Sequence, residues 1–145
     1  MKRSGTPGWP AHRSSPVLLV VMSTSEIATV LAFHDALSNA DVDTLLSLAS
    51  DDIEIGDAHG AAQGHAALRE WAQGSDAIVE VGDIYYRDGV VVVTENITSK
   101  SDPSDVSTTA SAFRVVHDHI TSAFRHDSLA AALAATELTD EDFQA

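Results

Sequence analysis

The stretch IVEVGDIYYRDGVVVVTENIT, Ile78–Thr98, consists of two runs of β-branched and aromatic residues either side of Asp88-Gly89. Such side chains suit a pleated, half-buried surface. An Asp-Gly pair supplies the positive φ angles of a two-residue hairpin turn, so the runs predict adjacent antiparallel strands over Ile78–Tyr86 and Val90–Thr98. Beyond them, Ser101-Asp102-Pro103-Ser104 is a turn, Val106–Val116 a third strand, His117-Asp118-His119 another turn and Ile120–His126 a fourth strand. Ser128 caps an Ala/Leu helix reaching Leu138, and the acidic end around Asp140-Glu141-Asp142 is expected to fray.

Upstream the apolar period changes from 2 to 3.6. Ser23 and Glu26 have the spacing of a capping box, and Ile27, Val30, Leu31, His34 and Leu37 follow at helical spacing, with Phe33 widening the stripe. Asp41 caps a second helix with Val42, Leu45, Leu46 and Ala49 on its inner face. Ile53, Ile55 and Asp57 alternate with Asp52, Glu54 and Gly56 as a short strand buried on one side. Gly60 and Gly64 bracket a loop, and Ala67, Leu68 and Trp71 mark a short helix that stops near Gly74. Helices first and a strand meander after them predict an α+β fold, a cone-shaped curved antiparallel sheet wrapped around N-terminal helices with a C-terminal helix. The concave side of such a sheet is not filled by the helices, which leaves a cavity for a small molecule.

With 145 residues the chain has room for one domain, expected over 23–138, with a flexible leader at 1–22 and an acidic tail at 139–145. The apolar run Val17–Val21 is too short for a signal or a membrane span, which makes Met22 a plausible natural start. The chain carries 22 acids, 8 bases and a formal charge of −14. Lys2, Arg3 and Arg13 take three of those bases into the leader. This balance argues against nucleic acid, whose phosphates are bound by clustered Lys and Arg. There is no cysteine, which excludes disulfides, thiol nucleophiles and Cys-based zinc sites, and a cytoplasmic setting is expected. His117-Asp118-His119 is a poor metal site because neighbouring strand positions point to opposite faces. No metal, no cofactor and no membrane partner are expected.

Asp57 continues the inward face of Ile53 and Ile55, so the pleat aims a carboxylate at an apolar cavity, where burial would make it a useful base; the alternative is a solvated residue at the strand end just before the Gly60 loop. Arg125 either shares a wall with Ala123 and Asp127, where it could neutralise Asp57 or bind a ligand carboxylate, or, one register step away, is an exposed strand arginine. His34 lies on the apolar stripe of the first helix, as either a satisfied core residue or a proton carrier. Two readings of the middle strands stay open. Thr94, Asn96, Thr98, Thr109 and Ser111 could line the cavity, which leaves Val91, Val93 and Ile97, with Glu95, on an outer face that a second subunit would cover as a homodimer.

The segments VLAFHDALSNADVDTLLSLASDDIEI (30–55), GDAHG (56–60) and GHAALREWA (64–72) resemble the opening of nuclear transport factor 2-like proteins, the SnoaL-like branch in particular. SAFRVVHDHITSAFRHDSLAAAL (111–133) is similar to the closing strands and helix of limonene-epoxide-hydrolase relatives. The resemblance implies the cone fold and a small-molecule site, and it permits a check of known chemistries. Ketosteroid isomerases use a strand carboxylate with a tyrosine and a protonated aspartic acid as oxyanion hole. Those positions fall on Asp57, Phe33 and Ser111, so the base is kept and the oxyanion donors are lost. Limonene-epoxide hydrolases use an Asp-Arg-Asp set whose Arg falls on Asn96, first Asp on Thr98 and second Asp on Arg125, and their tyrosine and asparagine fall near Ile55 and Asp57, which argues against epoxide hydrolysis by that route. Polyketide cyclases pair an acid with a histidine, parts open to Asp57, His34 and His59. The expected function is a small-molecule-binding domain, a cofactor-free lyase, isomerase or cyclase with Asp57 and His34 as catalytic groups. Phe33, Leu37, His59, Trp71, Asn96, Ser111 and Arg125 would contact the substrate. The alternative is a non-catalytic binding or dimerisation module of the same fold.

Overall fold

The computed structural model describes residues 14–57, 59–74 and 77–144, with side chains of the first helix considered from Ser25 onward. The expected leader thus lies mainly outside the described residues. Helix α1 (Ser14–Ser38) already includes Ser23 and Glu26, so the capping-box spacing does not mark a helix start. Asp41 does cap α2 (Val42–Ser47), its side chain accepting the Thr44 N–H. Strand β1 (Ala49–Asp57) buries Ile53 and Ile55 as their alternation requires. The segment expected as a loop forms β2 (Gly60–Gln63), folded back antiparallel on β1, and α3 (His65–Gln73) stops at Gly74.

Strands β3 (Ala77–Arg87) and β4 (Val90–Ser99) close through Asp88 (φ 50°) and Gly89 (φ 82°), the backbone that an Asp-Gly turn provides. Strands β5 (Val106–Val116) and β6 (His119–His126) complete six strands in the order β2-β1-β6-β5-β4-β3. All neighbours run antiparallel except β1 and β6, which are parallel. Helix α4 (Leu129–Thr136) starts at Ser128, whose hydroxyl accepts the Ala131 N–H.

The main core lies between the helices and the concave face, where Val30, Phe33, Leu37, Leu45 and Leu68 meet Ile53, Val91, Val93, Phe113 and Ile120. Val91 and Val93 are therefore interior residues. The expectation that they form an outer face in need of a partner subunit is corrected: α4 covers part of the convex side, packing with Val92, Ala110 and Ala112. The acidic end does not fray. Thr139 caps a 3₁₀ turn at Asp140–Asp142, Phe143 packs its ring on Tyr85 at 5.4 Å, and the Gln144 N–H donates to the Ile84 carbonyl at 2.7 Å. This segment straps the β3 edge of the sheet, a common way to satisfy an open strand. No helix among the described residues is long and apolar enough to cross a membrane.

Candidate functional site

The concave face is not filled to its rim. A cavity of about 400 Å³ remains, within the range of small-molecule pockets. Helix α1 contributes Phe33, His34 and Leu37 to its walls, and α3 contributes Trp71. From β1 and the turn after it come Ile55, Asp57 and His59. The neighbouring strands add Glu95, Ser111, Phe113, Ala123 and Arg125. Eight of the nine sequence-selected residues thus border one cavity. Asn96 does not: it is exposed, and its side-chain oxygen accepts from the Thr108 hydroxyl on β5.

Two expectations need correction here. The residues of β4 that face inward are Val91, Val93, Glu95 and Ile97, so Thr94, Asn96 and Thr98 lie on the other face. The burial expected for Asp57 is also absent. It ends β1 as an exposed residue at the mouth, with its Oδ1 accepting the His59 N–H at 2.8 Å in a local turn.

Glu95, whose face the sequence left open, is the centre of the site and only 2% exposed. Its Oε2 lies 2.6 Å from His34 Nε2, and its Oε1 accepts the Ser111 hydroxyl at 2.6 Å. Arg125 Nε stands 3.6 Å from the same Oε1. Burial pushes the Glu95 carboxyl up, but the His34 hydrogen bond and charge, then Ser111 and Arg125, outweigh it and hold the group below the usual glutamate range. His34 is fixed from its other side. Its Nδ1 lies 2.8 Å from the Val30 carbonyl, which can only accept, so Nδ1 carries a proton. The ring sits edge-on to Phe113 at 5.2 Å and to Phe33 at 6.3 Å. With Glu95 ionised, both ring nitrogens donate and the ring is the imidazolium.

One residue of strand phase hid Glu95. Val91, Val92 and Val93 are all fully buried, Val92 beneath α4 and the others beneath α1, so β4 shows no alternation from which to read the phase. A usable signal was Ser111, placed correctly inward: its strand neighbour is Val93, which makes Glu95 the next inward position.

An open, mostly antiparallel cone with a largely apolar cavity and a buried acid–base cluster defines an α+β domain with a pocket of small-molecule size. Residues 30–123 match the SnoaL-like domain family, and the chain belongs to that family. Comparison with curated proteins finds no match. Among solved structures, an LEH-like epoxide hydrolase from M. tuberculosis is similar at 20% identity and a TM-score of 0.61, with 80% of this chain and 95% of that one covered. A protein from Sinorhizobium meliloti, provisionally named a polyketide cyclase, is similar at 19% identity and a TM-score of 0.62, covering 68% and 93%. An NTF2-like protein from Burkholderia xenovorans reaches 23% identity and a TM-score of 0.58, covering 79% and 97%. These likenesses establish the fold.

Proposed function

We propose that this SnoaL-like domain is a cofactor-free acid–base enzyme of the isomerase, cyclase or lyase kind, acting on a small, largely apolar carbonyl compound. The observation that carries the reading is the His34–Glu95 pair beside Arg125 in a cavity with mostly apolar walls. Positive charge fixed there would stabilise an oxygen that gains negative charge as a neighbouring carbon loses a proton. Asp57 at the mouth is the remaining carboxylate of the cavity with no buried partner, and it serves as the base.

Proton abstraction next to a carbonyl has a direct signature, exchange of that carbon's hydrogen in D₂O followed by NMR. Across a panel of small ketones and lactones, wild type should catalyse exchange, and Asp57→Asn should slow it by about a hundredfold or more. Equal rates in both proteins would remove Asp57 from the mechanism.

The second reading, a binder without chemistry, is favoured by one observation. Both His34 nitrogens and both Glu95 oxygens are already engaged by the protein, so the cluster can be a structural core. Thermal stabilisation by the panel with no exchange would support it. Homodimerisation also belongs among the proposals. Its surface is the part of the convex face that α4 leaves bare, where Ile78 and Val106 are exposed on neighbouring positions around Thr98.

A further inference from the structure

Arg125 is the one group of the cluster whose hydrogen bonding the protein leaves unfinished. Its Nε is shut off from solvent and has no hydrogen-bond partner. Its ion-pair partner, Glu95 Oε1, stands at 3.6 Å, beyond a good hydrogen bond. Glu95 is committed elsewhere, to His34 and Ser111. An orphaned buried donor is costly, and native interiors keep few of them.

Charge points the same way. The His34 Nε2–Glu95 Oε2 contact needs one proton, and with Nδ1 also protonated the pair is neutral wherever that proton sits. Arg125 then leaves the cluster with one positive charge in excess. Asp57 is the other acid bordering the cavity, but it is exposed and turned into its own loop toward the His59 N–H. Among the described residues, the ion pair of Arg125 is with Glu95. The surrounding wall is hydrocarbon: Phe33, Ile55, Phe113 and Ala123. A single spare cation in an apolar wall suits a monoanion with an apolar body. A dianion such as a phosphate monoester would bring a second charge with nothing to match it.

We propose that the cavity selects small organic carboxylates, the carboxylate accepting from the Arg125 guanidinium and the apolar body lying against Phe33, Ile55 and Phe113. Glu95 is the positioning residue that holds the guanidinium and the His34 ring. This rests on reading the cavity as a small-molecule pocket and adds the substrate class.

The test compares acids with their neutral amides: benzoate with benzamide, cinnamate with cinnamamide, and 1-naphthoate with 1-naphthamide. Binding to the full chain is measured by calorimetry at about 0.15 M salt, where exposed charges are screened. At least one acid should bind about tenfold or more tightly than its amide. Arg125→Gln should bring acid and amide to parity, with its thermal midpoint and circular dichroism confirming the fold, and Arg125→Lys should keep part of the preference. Should Arg125→Gln not fold, Ala123→Phe, which fills the cavity, must abolish acid binding. Amides equal to acids in wild type, or a preference that survives in Arg125→Gln, overturns the proposal while the pocket reading stands. Binding by neither series overturns both.

Discussion

Glu95 combines near-complete burial with a full charge, and a lone carboxylate in that position would be strongly disfavoured. What holds it is chiefly His34, Ser111 and Arg125, with a longer contact from the Thr109 hydroxyl. Removing one member of a buried ion pair leaves the other uncompensated. Glu95→Gln should therefore cost about 3 kcal/mol, read as a drop in the denaturation midpoint. Combining it with His34→Leu should cost less than the two single losses together, because the cation stranded by the first change is gone. The carboxyl lies below its ordinary value in the folded protein, so the unfolded chain takes up the proton first as the pH falls. Its stabilising contribution is complete above the ordinary glutamate range and disappears as the pH drops through the lower folded value. Wild type should lose stability across that acid window, and Glu95→Gln should lose visibly less. Parallel pH profiles for the two proteins would show that Glu95 is not ionised in the fold.

At the scale of elements, the mouth of the cavity is set by how tightly β2 returns along β1. Gly56 pairs with Ala61 across that return, and a Cβ at Gly56 would meet the Gly60 carbonyl oxygen at 2.6 Å. Gly56→Ala should push the strands apart and cost about 1–3 kcal/mol, with Asp57 displaced from the rim. An unchanged thermal midpoint would show that the return opens at no cost. This hairpin was not legible in the sequence, since Gly60–Gln63 has neither β-branched residues nor alternation, and its four residues are all exposed. The long strands were legible because β-branched runs and the Asp88-Gly89 turn agree. The same runs concealed the phase of β4, where burial by α1 on one side and α4 on the other makes both faces apolar. Ser111 and Arg125 were placed by the family resemblance, since β5 buries four consecutive residues from Ala110 to Phe113 and β6 is evenly half-buried after Ile120, whereas the one buried acid among the described residues fell on a two-sided strand. Asp57 continued the inward phase of Ile53 and Ile55, but the strand ends there and the residue opens to solvent.

Over the whole molecule, a formal charge of −14 sits on a fold that leaves one apolar strip bare. Ile78 on β3 and Val106 on β5 flank Thr98 on the convex face, away from α4. Neighbouring exposed positions include Glu80, Asp102 and Asp105, so two copies meeting there would bring acids as well as apolar side chains together. The two effects respond differently to salt. Repulsion between exposed charges weakens as the screening length falls from about 30 Å at 0.01 M to about 8 Å at 0.15 M, while apolar contact is not weakened. Pairing through this strip should therefore be salt-promoted, the reverse of an interface held by ion pairs. Light scattering on the full chain should show the mass moving from monomer toward dimer as sodium chloride is raised. Val106→Asp should hold it at monomer at every salt concentration, without lowering the thermal midpoint of the monomer, because Val106 is 58% exposed and supports no core contact. A monomer mass for wild type throughout the series removes the dimer. A dimer that Val106→Asp leaves intact places the interface on another surface.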